Sequence, residues 1–585
     1  MCGIIGYKGS KKASPIIFDG LKKLEYRGYD SAGIVTHDSD FQMQKDIGKI
    51  NDINFDLDSL EGNIGCGHTR WATTGAVTRE NAHPHISNNG KIAIVHNGII
   101  ENYQEIRDFL ISKGFNFYSQ TDTEIIPNLI EYFMREKDFF EATKLALNKL
   151  EGSYAIIVLN NEEKGMMAAR KDSPLVIGVG DNEYFVASDI PAFLEHTKRV
   201  IYLAEKDVVS IGDDIKIFNL NEDSFVTRPI NTIEWELEQV KKGNFDHYML
   251  KEIIEQTETI NKAIEQDEKS IKEVAEFIKK AKGIYLVGCG SSYHACLSAA
   301  YKFSSLAKMH INVALASEFS NYKDFLIPES LVIAVSQSGE TADVLEAVRA
   351  AKEKGAKVIS IVNVMGSSLA RESHKALMMN SGPEICVLST KTYTSQLALL
   401  TLLAYSVDGK YEIGKKKLKD LINYVYYLTS DNTRKYIREV AEKIKESNHI
   451  YLIGRGLQYP TALEAALKIK EVSYIHAEGF AGGELKHGTI SLIDKGTPCI
   501  VFSSNQTEKE ILSNAAELKV RGGYIIGVGS KNNEIFDIFI KVREAEEANS
   551  ICQIIPIQIL AYQLALMRGC DPDRPRNLAK SVTVK

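Results

Sequence analysis

Residues 283–290 read GIYLVGCG, and residues 449–456 read HIYLIGRG. Each copy is an apolar strand that enters a glycine-containing turn before a helical pattern. Farther along, each copy has a second apolar strand that ends in polar residues, at 336–338 (SQS) and 503–505 (SSN). Alternation of strands and helices from residue 284 onward is typical of a parallel sheet with helices on both faces. We therefore predict two copies of one α/β unit in the second half of the chain.

The first 225 residues follow a different pattern, in which short strands are grouped with helices. The predicted strands cover residues 3–7, 32–36, 64–71, 92–95 and 155–159, and the predicted helices cover residues 16–25, 103–113, 123–136 and 140–150. Grouped elements favour a layered α+β fold. Between the two halves, residues 252–281 are highly charged and predict a long helix in a linking segment.

Composition and charge are those of a globular protein. The chain has 585 residues, too many for one core, and 44% of them are hydrophobic. Its net charge of −7 is not arranged in blocks, which argues against nucleic acid and acidic membranes as partners. The longest apolar stretch, residues 551–567, contains three glutamines and a proline, and therefore predicts a buried core helix and not a membrane span. No secretory signal is visible, so we expect a cytoplasmic protein.

The cysteines divide into Cys2 and the rest. Eight cysteines without a CxxC pair argue against a disulfide framework and against a zinc site. Most are expected to be small buried hydrophobic residues. Removal of Met1 would leave a thiol and an α-amine on Cys2, and an amine with a pKa of about 8 can act as the base that forms the thiolate. Taken alone, a chance cysteine near the start is the simpler interpretation.

Polar residues at predicted strand ends change that balance. Arg70 offers a planar fork for a substrate carboxylate, and Asp122 could hold a substrate ammonium. Asn97 and the backbone N–H of Gly98 could form an oxyanion hole. The alternatives are surface ion pairs for Arg70 and Asp122, a helix N-cap at Asp122, and a type I′ turn at 97–98. All three sets in a chain with an N-terminal cysteine favour a site for an amino acid.

Two loops of the second half could bind an anion. Residues 288–292 (GCGSS) lie between a strand and a helix, where backbone N–H groups and the helix dipole favour negative charge. Tyr293 takes the place of the third glycine of a dinucleotide fingerprint, which makes that interpretation weak. Residues 336–341 (SQSGET) suit a phosphate monoester without a metal. For either loop alone, helix-capping serines are the favoured interpretation, but two such loops at corresponding strand ends make a site the better one.

A set of charged residues in the second repeat suggests acid–base chemistry. Glu464, Lys468 and Glu471 are spaced i, i+4, i+7 and share one helix face. The default interpretation is a solvated stripe of salt bridges, but the neighbouring residues are small or apolar. Residues 484–488 (ELKHG) add His487 in a glycine-bounded loop.

These motifs resemble the glucosamine-6-phosphate synthase family, the isomerising glutamine:fructose-6-phosphate aminotransferases. In the first half the resemblance rests on residues 2–6 (CGIIG), 27–33, 70–73 (RWAT) and 121–124 (TDTE). In the second half it rests on residues 336–343, 389–391, 463–488 and 576–584. The resemblance extends from Cys2 to the C-terminus.

The resemblance implies an α/β multidomain architecture. Residues 2–225 would form a class II glutaminase domain with the α/β/β/α sandwich of N-terminal-nucleophile hydrolases, and residues 226–275 a linker. Two flavodoxin-like sugar isomerase domains would follow, at residues 276–420 and 440–574. A tail at residues 575–585 would contribute to the sugar site.

The resemblance also implies the roles of individual residues. Cys2 would be the nucleophile and Asn97 with Gly98 the oxyanion hole; the glutamine-binding residues would be Arg70, Trp71, Thr73 and Asp122, with Trp71 gating an ammonia channel. The sugar-phosphate-binding residues would be Ser291, Ser292, Ser336, Gln337, Ser338, Thr341, Ser389, Glu464 and Lys468. Glu471 would move a proton between C1 and C2, His487 would open the ring in the neighbouring subunit's site, and Lys580 would form a Schiff base with the ketose.

The implied activity is glutamine-dependent synthesis of D-glucosamine 6-phosphate from D-fructose 6-phosphate, the first step toward UDP-N-acetylglucosamine. It would release glutamate, use no metal or organic cofactor, and occur in a homodimer or higher homo-oligomer. Two positions depart from the family's pattern: Thr74 stands where many members carry histidine, and Thr257 where proline is common.

Two other functions are alternatives to glucosamine 6-phosphate synthesis. A sugar-phosphate-binding regulatory protein with an isomerase-type fold would not need Cys2, Glu471, His487 and Lys580 together. Another N-terminal-cysteine amidotransferase, of the phosphoribosyl or asparagine-forming type, would lack the duplicated isomerase half.

Overall fold

The computed structural model describes residues 2–235 and 237–583 and divides the chain into two compact units. The first unit comprises Met1–Leu237, Glu340–Ala342 and Ala579–Lys585; the second comprises Glu238–Gly339 and Asp343–Leu578. The first unit therefore extends beyond residue 225, where the sequence analysis ended the glutaminase. The predicted removal of Met1 concerns a residue outside the described ones.

The first unit contains the predicted elements and several further strands. Its strands are β1 (Gly3–Lys8), β2 (Ser31–His37), β3 (Phe41–Ile47), β4 (Ile64–Arg70), β5 (His85–Ile86), β6 (Ile92–Ile100), β7 (Gly152–Asn160), β8 (Met166–Lys171), β9 (Val176–Val179), β10 (Tyr184–Ala187), β11 (Arg199–Tyr202), β12 (Asp207–Ile211), β13 (Ile215–Asn219), β14 (Ser224–Val226) and β15 (Ile230–Thr232). Its helices are α1 (Ala13–Leu24), α2 (Tyr103–Ser112), α3 (Ile125–Met134) and α4 (Phe139–Lys149). The sequence pattern did not predict β3, β5 or the short strands from β8 onward.

Two antiparallel sheets form the middle of the first unit. Their spatial orders are β15-β11-β9-β10-β1-β4-β2-β3 and β14-β13-β12-β8-β7-β6-β5. Because side chains alternate along a strand, Val95 of β6 packs between the sheets, whereas its neighbour Ile94 packs against the layer of α2, α3 and α4. Helix α1 packs on β1, β2 and β4 of the other sheet. The predicted α/β/β/α sandwich is confirmed.

The beginning of the chain enters the centre of the eight-stranded sheet. Cys2 directly precedes β1, which lies between β10 and β4. Gly3 is opposite Thr69 in the antiparallel register of β1 and β4. Cys2 therefore lies at the end of the sheet where β4 finishes at Arg70.

The second unit is built from helices and parallel strands. Its helices are α5 (Leu237–Val240), which begins at the junction of the units, α6 (Tyr248–Ile254), α7 (Gln256–Ile264), α8 (Glu268–Lys280), α9 (Gly290–Lys302), α10 (Ala342–Glu353), α11 (Ser368–Glu372), α12 (Lys391–Val407), α13 (Tyr411–Leu428), α14 (Asp431–Ile444), α15 (Gln458–Ser473), α16 (Glu508–Val520) and α17 (Asn549–Met567). Its strands are β16 (Ile284–Gly288), β17 (Asn312–Leu315), β18 (Leu331–Ser336), β19 (Lys357–Val362), β20 (Lys375–Met378), β21 (His449–Gly454), β22 (His476–Ala481), β23 (Pro498–Phe502), β24 (Tyr524–Gly529) and β25 (Ile538–Lys541).

The strands form two parallel sheets of identical topology. Their spatial orders are β17-β16-β18-β19-β20 and β22-β21-β23-β24-β25, so each repeat has the 2-1-3-4-5 order of flavodoxin-like folds. The glycines that follow β16 and β21, Gly290 and Gly456, share a left-handed backbone with φ of 52° and 56°. The predicted duplication is confirmed. In such sheets ligands bind where the strand order reverses, which in the first repeat is at the carboxyl ends of β16 and β18.

The segment between the predicted domains is not the single long helix that its charge suggested. Residues 252–281 are divided among α6, α7 and α8. Asp267 is the N-cap of α8, and its side chain accepts hydrogen bonds from the backbone N–H groups of Lys269 and Ser270. Met249 and Ile260 are fully buried in the core of the second unit. From residue 238 onward, the segment predicted as a linker is therefore part of that unit.

Helix α17 is the apolar stretch that the sequence analysis assigned to a core. Among the described residues, the helical segment Glu546–Met567 has the length and composition of a membrane span, but 83% of its most apolar window is buried inside the fold. Ile551, Leu560 and Leu564 are fully buried in the hydrophobic core of the second unit. The helix is a core element of this unit, as predicted.

Candidate active sites

Cys2 is held by contacts from the loop that follows β4 and from β6 of the other sheet. Its Sγ accepts a hydrogen bond from the backbone N–H of Trp71 at 3.2 Å. Asn97 Nδ2, in β6 of the other sheet, donates to the carbonyl oxygen of Cys2 at 2.8 Å. Burial raises the pKa of the Cys2 thiol, while the Trp71 hydrogen bond and the charge of Arg70 oppose this effect. Because the resting form is a thiol, the site needs a base to form the nucleophilic thiolate.

Arg70 is buried beside this cysteine and is not a surface ion-pair residue. Its side chain donates to three backbone carbonyls, those of Thr74 at 2.6 Å, Gly75 at 3.1 Å and Ala76 at 3.1 Å. Since the partner at position 74 is a carbonyl, this support does not depend on the side chain that replaces the family's histidine. Burial lowers the pKa of the Arg70 guanidinium.

The remaining alternatives for the glutaminase residues are also wrong. Asp122 is buried, and its Oδ2 accepts from the backbone N–H of Ile100 at 2.8 Å, whereas the N-cap of α3 is Glu124. The alternative of a turn at Asn97 and Gly98 is wrong because both residues lie inside β6. Gly98 has a φ of 132°, and a Cβ there would lie 2.1 Å from a backbone oxygen, so that only glycine fits.

Trp71 and Thr73 lie in the loop that follows β4. The Trp71 ring packs edge-to-face against Tyr29, with centroids 5.5 Å apart. Thr73 is exposed. The sequence analysis did not single out Asp30, whose Oδ2 accepts from the backbone N–H of Ala72 at 2.8 Å and so holds this loop. The gating role of Trp71 and glutamine binding by Thr73 remain predictions.

Behind the Arg70 loop lies a cluster of four buried histidines that the sequence analysis also missed. The rings of His68 and His83 stack with centroids 4.0 Å apart, and His83 meets His85 at 4.8 Å. His96 Nδ1 lies 2.9 Å from the hydroxyl of Thr123, next to Asp122 in sequence. Burial lowers the pKa of all four imidazoles, so the cluster is neutral at neutral pH.

This cluster predicts that the first unit loses stability in acid. Histidines whose pKa is lower in the folded than in the unfolded state contribute stability that is present above about pH 6.5 and is lost as the pH falls toward the folded pKa. Each such histidine should cost about 1.4 kcal/mol of unfolding free energy per pH unit below that value. Both tryptophans, Trp71 and Trp235, belong to the first unit, so urea unfolding followed by tryptophan fluorescence measures this unit. Equal unfolding free energies at pH 7.5 and 5.5 would contradict the prediction.

A second candidate site joins the helices that follow the first strand of each repeat. Ser291 of α9 donates through Oγ to Glu464 Oε1 of α15 at 2.8 Å. Lys468 Nζ donates to Ser291 Oγ at 3.1 Å and lies 3.4 Å from Glu464 Oε1 and 2.7 Å from Glu471 Oε2. Four residues that were predicted from separate motifs therefore form one network.

The network is buried and is not a solvated stripe of salt bridges. The side chains of Glu464 and Lys468 are 0% and 1% exposed, because this face of α15 packs against α9. Burial disfavours the charge of Lys468, but the carboxylates of Glu464 and Glu471 outweigh burial and raise its pKa. Lys468 is therefore a permanent cation between two carboxylates.

Two further predicted serines lie near the carboxyl ends of β16 and β18, Ser292 in the first turn of α9 and Ser336 as the last residue of β18. Ser292 Oγ accepts a hydrogen bond from Gln396 Nε2 of α12 at 3.1 Å. Ser336 Oγ accepts from the backbone N–H of Gly339 at 3.1 Å and so closes the turn after β18. The two residues after Ser336 are half-buried in the same turn. Both serines lie where the strand order of the first sheet reverses, but phosphate binding remains a prediction.

Ser389 precedes α12 and is linked to a buried carboxylate. Its hydroxyl lies 2.7 Å from that of Thr392, which donates to Glu384 Oε2 at 2.8 Å. The charge of Glu384 also acts on Lys468 and contributes to its raised pKa. Ser389 is therefore near the network, through residues that the sequence analysis did not identify.

Three predicted site residues lie outside α9 and α15, the helices that carry this network. Thr341 and Lys580 belong to the segments Glu340–Ala342 and Ala579–Lys585, which group with the first unit. His487 is exposed in a short helical turn after β22. Their predicted roles in phosphate binding, Schiff-base formation and ring opening remain predictions.

Comparison with known proteins identifies similarity along the whole chain. Residues 277–406 and 443–568 match the SIS domain family, and residues 68–195 match the glutamine amidotransferase domain family. The chain is 46% identical over 598 residues to the glutamine–fructose-6-phosphate aminotransferase (isomerizing) of Pyrococcus horikoshii. It is 45% identical over 602 residues to the same enzyme of Thermococcus kodakarensis, and 100% of each chain is covered in both comparisons. Among solved structures, the C-terminal domain of glucosamine-fructose-6-phosphate aminotransferase from Francisella tularensis is 35% identical with a TM-score of 0.53, and the match covers 57% of this chain and 100% of that one.

Proposed function

The chain belongs to the family of glutamine–fructose-6-phosphate aminotransferases (isomerizing), and we propose that it carries out this family's reaction with the two sets of residues described above. It is an enzyme that synthesises D-glucosamine 6-phosphate from D-fructose 6-phosphate with glutamine as nitrogen donor. The observation that carries the assignment of residues is the convergence of Asn97 and the Arg70 loop on Cys2. We further propose that residues 2–225 contain the glutaminase, and residues 276–420 and 440–574 the two isomerase domains.

The glutaminase reaction begins at the Cys2 sulfur. After loss of Met1, the α-amine of Cys2 takes the thiol proton, and the thiolate attacks the carboxamide carbon of glutamine. Asn97 Nδ2 uses one N–H for the Cys2 carbonyl, which leaves its second N–H, together with the Gly98 N–H, for the oxyanion of the tetrahedral intermediate. The C–N bond then breaks and ammonia leaves with a proton from the α-amine. Water hydrolyses the remaining thioester to glutamate.

Substrate recognition in this half follows from two buried charges. The guanidinium of Arg70 would pair with the α-carboxylate of glutamine, and the carboxylate of Asp122 with its α-ammonium group. Each side chain is already fixed by backbone contacts, Arg70 by three carbonyls and Asp122 by the Ile100 N–H. Little side-chain freedom is therefore lost when glutamine binds.

The sugar reaction uses ammonia from the first step. The hydroxyl-rich turn at residues 336–341, with Ser389, would hold the phosphate, and His487 would assist opening of the sugar ring. Lys580 would form a Schiff base at C2, which ammonia displaces to give an imine. Glu471 would then remove a proton from C1 and return one to C2, which converts the ketose imine into the aldose amine. The cation of Lys468 lies 2.7 Å from Glu471 Oε2 and would hold the Glu471 side chain in place for this proton transfer.

The assembly and location follow from the same proposal. We propose a homodimer or higher homo-oligomer, because His487 lies exposed on a loop and would complete the sugar site of a neighbouring copy. We also propose a cytoplasmic location and no nucleic-acid or membrane partner.

Product analysis tests the proposed function. The protein incubated with glutamine and fructose 6-phosphate should release glutamate and glucosamine 6-phosphate in equal amounts. Lys580→Ala should still release glutamate but form no amino sugar, and borohydride should trap the sugar on the parent protein but not on this variant. A protein that releases neither product would be a sugar-phosphate-binding regulator. Normal synthesis by Lys580→Ala would exclude the Schiff-base role.

A further inference from the structure

We infer that His294 is a positioning residue for the isomerisation reaction, which fixes the carboxylate of Glu464 and through it the Lys468–Glu471 pair. His294 Nδ1 lies 2.8 Å from Glu464 Oε2, and the imidazole is 14% exposed. The inference rests on the proposed role of Glu471 at the sugar. It assigns to a residue of the first repeat the role of positioning charged side chains of the second repeat.

The two oxygens of Glu464 have separate partners. Oε1 accepts from the Ser291 hydroxyl at 2.8 Å and faces Lys468 Nζ at 3.4 Å, whereas Oε2 faces His294 Nδ1. A carboxylate held at both oxygens cannot rotate about its terminal bond without losing a hydrogen bond. His294 and Ser291 are three residues apart on one face of α9, so a single helix supplies both contacts.

The partner of His294 also sets its tautomer. A carboxylate oxygen accepts hydrogen bonds, so Nδ1 carries the ring proton and donates to Glu464. Nε2 takes no part in this hydrogen bond. The contact is therefore a directed N–H to O bond, of the stronger charge-assisted kind. A fully buried carboxylate that loses such a partner is left with an unsatisfied oxygen, which is costly and favours a change in its position.

Lys468 connects Glu464 to Glu471, the proposed base, so a change at Glu464 affects Glu471. Lys468 is shared between Glu464 and Glu471, at 3.4 Å and 2.7 Å. If Glu464 moves, the position of Lys468 between the two carboxylates changes, and with it the orientation of the Glu471 carboxylate that transfers the proton. We therefore expect loss of His294 to affect turnover more than binding of the sugar phosphate, which is assigned to the turn at 336–341.

Three substitutions at one position test this inference in the full-length protein. His294→Leu removes the donor, His294→Asn places an amide N–H close to the position of Nδ1, and His294→Gln extends its amide about one bond farther. Without ammonia, the proton transfer proposed for Glu471 would convert fructose 6-phosphate to glucose 6-phosphate. We expect kcat for this isomerisation to fall about 10- to 100-fold in the Leu and Gln variants, with KM within about 2-fold. The Asn variant should stay within about 3-fold of the parent, and glutamine hydrolysis should be unchanged in all three.

The outcomes separate this inference from the proposed function. A parent protein that makes no glucosamine 6-phosphate contradicts the function itself. A normal parent with a fully active Leu variant, or with Asn and Leu variants equally impaired, overturns the role of His294. If the Leu variant does not fold, the Asn and Gln variants decide by the same criterion: an active Asn variant beside an impaired Gln variant supports the role, and equal activities overturn it.

Discussion

Replacing Cys2 with alanine should abolish glutamine-dependent synthesis, with a decrease of about four orders of magnitude or more in glutamate release. No other thiol can substitute, because the surrounding donors are arranged around this residue. Asn97 Nδ2 lies 2.8 Å from its carbonyl oxygen, and the Trp71 N–H lies 3.2 Å from its sulfur. Conversion of fructose 6-phosphate to glucose 6-phosphate should remain detectable, because that reaction is assigned to side chains outside the glutaminase domain. Glutamate release and glucose 6-phosphate formation are measured on the same preparation.

Cys66 provides the matched control for this experiment. It lies in β4 of the same sheet, is fully buried, and has its pKa raised by burial alone, as expected for a structural thiol. Cys66→Ala should retain glutamine hydrolysis within about 3-fold, since it removes one sulfur from the core without touching the site. A reactive glutamine analogue should label Cys2 in the parent, at an N-terminus without methionine. Survival of glutaminase activity in Cys2→Ala would show that the nucleophile is a different residue.

The sequence was sufficient where a short pattern determines a local structure. The repeated motif at residues 283–290 and 449–456 predicted two parallel sheets, because an apolar strand followed by a glycine turn and a helix has few other folds. The strands of the sandwich from β8 onward were missed, since most are short and their pairing depends on distant partners. The prediction of one long helix at residues 252–281 was wrong, because the charged pattern continues through residues 265–267, which separate α7 from α8. Asp267 is the N-cap of α8.

The same distinction between local pattern and distant contacts applies to the residues of the candidate sites. Cys2, Arg70, Asn97 and Asp122 carry chemistry that is visible in the residue type, and their motifs could be identified before folding. His294 could not, because its partner Glu464 lies 170 residues away and only the packing of α9 on α15 brings them together. The histidine cluster could not be predicted for the same reason, because separate histidines in the sequence do not show that their rings stack in the fold. Residue type predicts what a side chain can do, whereas packing decides what it contacts.

Replacing Lys468 with methionine should both remove the sugar product and destabilise the second unit. The change leaves the buried carboxylate of Glu464, and the nearly buried one of Glu471, without the cation that lies 3.4 Å and 2.7 Å from them. Removing one partner from a buried ion pair typically costs about 3–5 kcal/mol, because the remaining charge is left without compensation. Differential scanning calorimetry should therefore show a lower transition temperature for the variant, and product analysis should show glutamate release without glucosamine 6-phosphate.

A second substitution separates the two effects. In Glu464→Gln/Lys468→Met the most buried carboxylate is neutralised together with the cation, so most of the lost stability should return. The sugar product should not return, because the charge beside Glu471 is still missing. A third variant, Lys445→Met, removes a partly exposed lysine that pairs with the exposed Glu442, and should leave both stability and synthesis nearly unchanged. If Lys468→Met were as stable as the parent, the buried network would not carry the charges assigned to it. If the double variant regained synthesis, Lys468 would be a structural cation only, and the proton transfer by Glu471 would not depend on its charge.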